Sequence, residues 1–206
     1  MSKQFSDLGV NEHLLQSLID QQISVPTDIQ KKVIPVILEQ DKDVVALAKT
    51  GTGKTAAFGL PLLQLIDTDN SKIQLVILAP TRELGQQIYA NLVSFSTHCP
   101  SISIASICGG IPIKPQIERL KSTTHIVVAT PGRLVDLVNR KAIIIKDIKY
   151  LVLDEADEMV TALKVDLDHI ISEIPKSRRT LLFTATMPGA LKQLIQNYMS
   201  KHVVQI

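Results

Sequence analysis

The chain has 206 residues, 45% of them hydrophobic, with four Phe, three Tyr and no Trp. This length and composition predict one domain with a complete hydrophobic core and exclude a disordered chain. A formal net charge of only +2 excludes a strongly basic tail that binds nucleic acid by bulk electrostatics, so any such contact must come from individually placed groups.

The positions of the cysteines, histidines and apolar runs exclude further classes of protein. Cys99 and Cys108 have neither the spacing of a redox or zinc motif nor the number that a disulfide framework needs, so we expect free thiols. The five histidines are scattered, which argues against a protein-held zinc ion. The N-terminus lacks an apolar signal segment, and no run of about 18 apolar residues could span a bilayer. We expect a cytoplasmic protein without membrane contact.

In chain order, two amphipathic helices come first, one with Val10, Leu14 and Leu18 and the next with Ile29, Val33 and Ile37. Pro35 is expected to kink the second helix. Seven aliphatic runs of strand length follow, without polar alternation, at residues 44–48, 73–79, 102–108, 125–129, 150–154, 180–184 and 202–206.

Segments with helical spacing separate these runs, for example Leu84, Ile88 and Leu92. Alternating strands and helices, with strands buried on both faces, predict a parallel sheet between two helix layers. The sequence shows no internal repeat, low-complexity tract or linker, so we expect residues 1–206 to form one domain.

A phosphate-binding loop is predicted directly after the first strand, where a helix-compatible run follows at residues 56–65. Its glycines let backbone N–H groups turn toward a phosphate, and the helix N-terminus adds a positive potential. Lys54 would reach the β- and γ-phosphates, and the Thr55 hydroxyl would bind Mg²⁺. An ordinary glycine-bearing turn is the weaker alternative. The ATP-binding residues predicted here are Ala48, Lys49, Thr50, Gly51, Thr52, Gly53, Lys54 and Thr55.

Carboxylates follow the hydrophobic run at residues 150–153, at the strand end where open α/β sheets bind ligands. Asp154 would hold Mg²⁺, partly through water, and Glu155 would orient and deprotonate the water that attacks the γ-phosphate. Acidic residues after a strand are common in loops. Together with the phosphate loop, however, they indicate a nucleoside triphosphatase with Lys54, Asp154 and Glu155 as its catalytic residues.

Asp154, Glu155, Ala156 and Asp157 form the tetrapeptide that names the DEAD-box family of RNA helicases, and nearly the whole chain resembles that family's N-terminal lobe. The resemblance implies a RecA-like P-loop NTPase domain, an α/β fold of three layers with a mostly parallel central sheet. Residues 3–31 resemble the Q-motif region, with Phe5 as its upstream aromatic residue. Gln30 resembles the family's adenine-reading glutamine, whose donor and acceptor would favour adenine over guanine.

Further motifs of the family follow in order. Thr184 and Thr186 resemble the motif that bonds to the last acidic residue, Asp157, and couples hydrolysis to work on RNA. Three others look like RNA-backbone motifs, whose threonines begin helix-like segments and whose arginines add charge, although each alone is more often a cap or turn. The RNA-binding residues implied are Pro80, Thr81, Arg82, Gly109, Gly110, Thr130, Pro131, Gly132 and Arg133.

Two departures from the family pattern concern adenine stacking and coupling. Gln22 and Ile23 stand where the family has a glycine and an adenine-stacking aromatic residue, so we expect weaker stacking. Thr184 replaces the usual serine but keeps its hydroxyl, so coupling should be preserved.

The resemblance predicts an ATP-dependent RNA helicase that uses ATP and Mg²⁺ and contacts the RNA backbone with little sequence specificity. The second RecA-like lobe, whose arginines complete the ATP site, is not recognisable in this sequence, so the lobe alone should be nearly inactive. Two alternatives stay open: an ATP-gated RNA clamp or scaffold that seldom turns over, and a DNA translocase built on the same lobe.

Overall fold

Residues 4–206 are described by a computed structural model. Residue 3, the first of the Q-motif region, therefore lies outside the described residues. One seven-stranded sheet runs through the domain in the order β3-β4-β2-β5-β6-β1-β7, and every neighbouring pair is parallel. The strands are β1 Val44–Leu47, β2 Leu75–Leu78, β3 Ile104–Ile107, β4 Ile126–Ala129, β5 Tyr150–Leu153, β6 Arg179–Thr184 and β7 Val204–Gln205.

All seven predicted strands are confirmed, most of them shorter than expected by one to three residues. Pro35 lies inside the second helix, which continues as α-helix to Glu39. Within residues 4–206, the helices are α1 Glu12–Asp20, α2 Asp28–Glu39, α3 Lys54–Gln64, α4 Arg82–Phe95, α5 Ile113–Leu120, α6 Pro131–Asn139, α7 Ala156–Ala162, α8 Lys164–Glu173 and α9 Gly189–Tyr198, preceded by a 3₁₀ turn at Ser6–Leu8.

Two hydrophobic clusters, one on each face of the sheet, explain why the strands lack polar alternation. In β2, Leu75 and Ile77 face the cluster covered by α1 to α4, while Val76 and Leu78 face the cluster covered by α6 to α9. Since successive strand residues point to opposite faces, both faces must be apolar when helices cover both. The predicted three-layer α/β fold is confirmed.

The Q-motif region precedes the first strand. Parallel strands bring the other predicted motifs to one edge of the sheet, because each of them follows the carboxyl end of a strand. The strand order divides this edge into two halves. The motifs after β1, β5 and β6 are those predicted for ATP and coupling, and the motifs after β2, β3 and β4 are those predicted for RNA. Neighbouring β2 and β5 form the boundary between the halves.

None of the helices within residues 4–206 is both long enough and apolar enough to cross a bilayer.

Candidate functional site

The phosphate loop bends through two glycines in the left-handed region, Gly51 at φ 83° and Gly53 at φ 90°. Side chains other than glycine are strained at such angles. A Cβ atom on Gly53 would also lie 2.5 Å from the Gln30 Nε2 atom. The loop therefore depends on glycine for its conformation and for its close approach to α2. Directly after Gly53, α3 begins at Lys54 with its N–H groups toward the sheet edge.

Lys54 meets both predicted catalytic carboxylates. Its Nζ atom lies 2.7 Å from Glu155 Oε1 and 3.4 Å from Asp154 Oδ1, and only 5% of its side chain is exposed. The Thr50 hydroxyl also donates to Glu155 Oε1, at 2.8 Å. The phosphate loop and the end of β5, about a hundred residues apart in sequence, thus form one polar site.

Burial sets the electrostatics of the acidic residues. Asp154 is only 2% exposed, and this burial raises its pKa above the ordinary value, although the Lys54 ammonium opposes the shift. The Glu155 backbone lies in the left-handed region at φ 52° and ψ 51°, and its N–H donates to Asp154 Oδ1 at 3.1 Å. Such backbone strain in a non-glycine residue is typical of functional sites.

Gln30 is 5% exposed, and both ends of its amide bond to backbone groups. Its Oε1 accepts from Thr27 N at 2.8 Å, as part of a capping box for α2, and its Nε2 donates to Gly53 O at 3.1 Å. A cavity of about 480 Å³ is lined by the start of α2, the end of β1 and the phosphate loop, and Gln30 is not among its lining residues. Phe5 is 2% exposed within the core on the α1 to α4 face, so a contact with nucleotide stays a prediction for this residue.

Asp157 joins α7 to the segment after β6. Its Oδ2 accepts from Thr186 N at 3.0 Å and from Thr186 Oγ1 at 2.6 Å, and the Thr184 hydroxyl donates to Thr186 O at 2.7 Å. Burial alone would raise the pKa of Asp157, but the hydrogen bonds from Thr186 lower it below the ordinary value. The structure therefore brings the three predicted coupling residues together, while their role in coupling stays a prediction.

The predicted RNA residues form a second cluster around the Gly109–Gly110 turn. Gly109 N donates to Thr130 Oγ1 at 3.0 Å, and Arg82 Nη1 donates to Gly110 O at 3.2 Å. Arg133 Nη2 donates to the carbonyl of the next residue, Ile111, at 2.9 Å. Neighbours in this cluster are Pro80, Thr81, Pro131 and Gly132, at the starts of α4 and α6.

Thr81 and Thr130 precede α4 and α6 but do different things there. The Thr81 hydroxyl accepts from Leu84 N and caps its own helix, whereas the Thr130 hydroxyl bonds the glycine turn instead of its own helix. The first backbone N–H groups of α6 therefore lack a cap from the Thr130 side chain, which leaves donors for an anion.

Sequence reasoning missed Gln116, on α5. Its side chain is 5% exposed, accepts from Arg133 Nη1 at 2.8 Å and donates to Cys108 O at 2.9 Å. A glutamine in an amphipathic helix is an ordinary surface residue by its pattern, so no local signal distinguishes it.

Within residues 4–206, no three or more His, Cys, Asp or Glu side chains lie close enough together to hold a metal ion. The oxygen groups predicted to bind Mg²⁺ are the Thr55 hydroxyl, in the first turn of α3, and the Asp154 carboxylate, directly after β5. Such a small set of protein oxygens suits Mg²⁺, which keeps several waters and is bound largely by substrate phosphates.

Comparison with known proteins agrees with this geometry. The family model described as DEAD/DEAH box helicase matches residues 27–194. The DEAD-box ATP-dependent RNA helicase CshA of Streptococcus pneumoniae is 46% identical over 95% of this chain and 37% of its own length. The CshA protein of Bacillus cereus is 42% identical over 96% of this chain and 37% of its own length.

A solved structure of a DEAD box protein from Methanococcus jannaschii superimposes with a TM-score of 0.89 at 39% identity, covering 98% of this chain and 55% of that one. The chain thus spans well under half the length of the curated relatives that it matches, and the similarity covers nearly all of it. From its motifs, its fold and these matches, the chain belongs to the DEAD/DEAH box helicase family.

Proposed function

We propose that this chain is the ATP-binding lobe of an ATP-dependent RNA helicase, in which ATP hydrolysis drives local unwinding of RNA or remodelling of RNA–protein complexes. The observation that supports this most directly is the buried contact of Lys54 with Glu155 and Asp154 at the strand ends. The Lys54 ammonium and two buried carboxylates, one of them on a residue with a strained backbone, lie next to a glycine loop. This combination suits phosphoryl transfer.

For hydrolysis, each residue has a separate task. Lys54 exchanges its bond with Glu155 for the β- and γ-phosphates, while backbone N–H groups of residues 50–55 surround them. Glu155, freed from Lys54, orients the attacking water and accepts its proton. Gln30 reads the adenine edge through the amide hydrogen and the lone pair that its backbone bonds leave unused.

The Thr55 hydroxyl and the Asp154 carboxylate, directly or through water, would hold Mg²⁺. Bound Mg²⁺ would neutralise charge on the phosphates.

RNA binds along the other half of the sheet edge. Arg82, Arg133 and the donors at the start of α6 contact phosphates and sugars, which gives affinity without base specificity. The second lobe of the parent protein closes over both ligands and supplies arginines to the ATP site. Localisation in the cytoplasm is part of the proposal. RNA, rather than DNA, is favoured because the relatives at 42% to 46% identity are named RNA helicases.

The test measures ATP·Mg²⁺ binding by calorimetry. Lys54→Ala should abolish detectable binding, because it removes the charge and hydrogen bonds that face the phosphates. Lys146→Ala is the control: Lys146 is an exposed lysine before β5, and this variant should bind like the unchanged chain. Equal binding by the Lys54→Ala variant would contradict the assignment. In the parent protein, ATPase stimulated by RNA but not by DNA separates a helicase from a DNA translocase, and steady-state turnover separates it from a static clamp.

A further inference from the structure

The turn after β3 is held by side chains at four consecutive residues. In each residue from 108 to 111, one backbone N–H or carbonyl group forms a hydrogen bond with a side chain. The four side chains are different, and the bonds are 2.9 to 3.2 Å long. Three of the four side chains belong to the predicted RNA motifs, and the fourth is Gln116. The pairs are Cys108 O with Gln116, Gly109 N with Thr130, Gly110 O with Arg82, and Ile111 O with Arg133.

Gln116 differs from the other three because it bonds two parts of the cluster at once. Its amide nitrogen donates to Cys108 O at 2.9 Å, and its amide oxygen accepts from Arg133 Nη1 at 2.8 Å. The amide orientation follows from the chemistry, since a carbonyl can only accept and a guanidinium can only donate. With 5% of the side chain exposed, water cannot easily replace either bond.

The two arginines of this cluster keep their positive charge unpaired by any carboxylate of the described residues. Within residues 4–206, neither Arg82 nor Arg133 has a carboxylate oxygen within the 4.0 Å that defines an ion pair. Both bond neutral oxygens instead. A neutral partner fixes the direction of a guanidinium while its full charge remains available to a phosphate. Glutamate at position 116 could still accept from Arg133, but it would cancel that charge and could not donate to Cys108 O.

We propose that Gln116 is a positioning residue for RNA binding: it holds Arg133 and the Gly109–Gly110 turn in one rigid arrangement without neutralising the arginine. The inference rests on the proposed RNA contacts of this edge and adds a residue that touches no RNA itself. Its physical basis is that a flexible arginine loses conformational entropy on binding, whereas one already held by a buried bond loses less.

The main variant is Gln116→Met, which keeps the length and burial of the side chain but removes both hydrogen bonds. Gln74→Met is its matched control. Gln74 is 0% exposed and bonds the backbone of Asp67 and Asn70, just before β2 and hence at the opposite edge of the sheet. Both variants lose a buried amide of the same kind, so both should lower the thermal midpoint.

The readout is the Kd for a fluorescent single-stranded RNA, measured with the 206-residue chain at several salt concentrations. The temperature is kept below the thermal unfolding midpoint of every variant. Gln116→Met should raise Kd about three- to tenfold, because Arg133 keeps its bond to Ile111 O but loses its second one. The slope of log Kd against log salt should fall by up to about 0.7, the value for one phosphate contact to a single strand.

The slope is the readout that a merely structural role would not move. A destabilised but folded protein makes all its phosphate contacts, so the control Gln74→Met should keep both Kd and slope. The Gln116→Glu variant keeps the acceptor for Arg133 and should nevertheless weaken RNA binding, because its carboxylate neutralises the guanidinium.

Arg82→Ala separates failure of this inference from failure of the proposed function. If Arg82→Ala leaves Kd unchanged, or the unchanged chain shows no RNA binding, this edge is not an RNA site and both proposals fall. If Arg82→Ala weakens binding while Gln116→Met keeps the Kd and slope of the unchanged chain, the RNA site stands and the positioning role of Gln116 is overturned, whatever the result for Gln116→Glu.

Discussion

Single residues at this sheet edge serve the fold and the candidate site together. Gln30 caps α2 through its oxygen and bonds the phosphate loop through its nitrogen, so the helix start and the loop are tied by one side chain. Gln116 does the same for Cys108 and Arg133 on the other half of the edge. In both cases a neutral amide joins two partners, one through its donor and one through its acceptor, whereas a carboxylate could only accept.

The Gln30→Glu variant tests the donor half of the Gln30 amide. The carboxylate can still accept from Thr27 N, and glutamate is a favourable residue at this capping-box position. It cannot donate to Gly53 O or to adenine. We expect the Kd for ATP to rise about tenfold, roughly the effect of one lost hydrogen bond, and the preference for ATP over GTP to shrink. The urea midpoint should also fall, because a buried carboxylate then faces the Gly53 carbonyl without a donor. Unchanged ATP affinity in calorimetry would contradict the role of Gln30.

Among the elements, α1 ends in a Schellman motif that contains an unfavourable residue. Gln22 N bonds Ile19 O and Ile23 N bonds Leu18 O, both at 2.9 Å, and Gln22 has φ 58°. This left-handed position is usually glycine. The glycine that the resemblance implies for the family at this point would thus have a structural reason, and we expect its replacement by Gln22 to cost stability.

Accordingly, Gln22→Gly should stabilise the domain by about 0.5 to 1 kcal/mol, since glycine adopts positive φ without steric cost. Urea unfolding checks this. Ser24→Gly, two residues on and outside the positive-φ region, is the control and should lower stability slightly through the entropy of the unfolded chain. A loss of stability in the Gln22→Gly variant would show that the strain is absent.

The Asp157 carboxylate should make the stability of the domain depend on pH. The hydrogen bonds from Thr186 lower the pKa of Asp157 in the folded protein, so the unfolded state binds a proton first as the pH falls. The stabilisation by Asp157 is therefore present above the unfolded pKa of about 3.9 and is lost as the pH falls through the lower folded pKa.

The Asp157→Asn variant should thus have a lower Tm than the unchanged protein at neutral pH, and the difference should vanish in strong acid. Glu158→Gln, in the exposed neighbour on α7, should show no such difference. A Tm gap that does not depend on pH would contradict an electrostatic role for Asp157.

At the scale of the whole molecule, the two proposed ligand sites share one sheet edge, with the motifs predicted for ATP and coupling after β1, β5 and β6 and those predicted for RNA after β2, β3 and β4. In the proposed helicase, a single rigid lobe would have no second conformation for ATP to select, so we propose that the motion comes from a second lobe that closes over it. Because the curated relatives are more than twice as long as the matched region, with 37% of their length covered, their remaining length provides room for one.

We expect the chain alone to show almost no RNA-stimulated ATPase and no duplex unwinding, because an arginine finger from the second lobe is worth about 10³ to 10⁵ in rate. Adding that lobe, covalently or in trans, should restore both activities in phosphate-release and strand-displacement assays. Glu155→Gln in the two-lobed protein should bind ATP and RNA but not turn over. Efficient turnover by the lone chain would contradict the two-lobe mechanism.

Local pattern in the sequence was enough to predict the strands, the helix layers and the phosphate loop. Continuous aliphatic runs report burial on both faces, and the backbone conformations at Gly51 and Gly53 depend on the nearest neighbours. Since every strand in a parallel sheet ends at the same edge, the sequence also determined that Lys54, Asp154 and Arg82 share that edge. These features are local or follow from one rule of topology.

Only the tertiary structure decided the order of strands along the edge and the contacts across it. β1 lies between β6 and β7 rather than beside β2, which brings Lys54 to Glu155 and separates the ATP half from the RNA half. The same holds for Gln116, whose helical pattern is that of a surface residue until α5 packs beside β3 and buries it. Strand order and such burial depend on how all the apolar surfaces pack together, which no window of sequence contains.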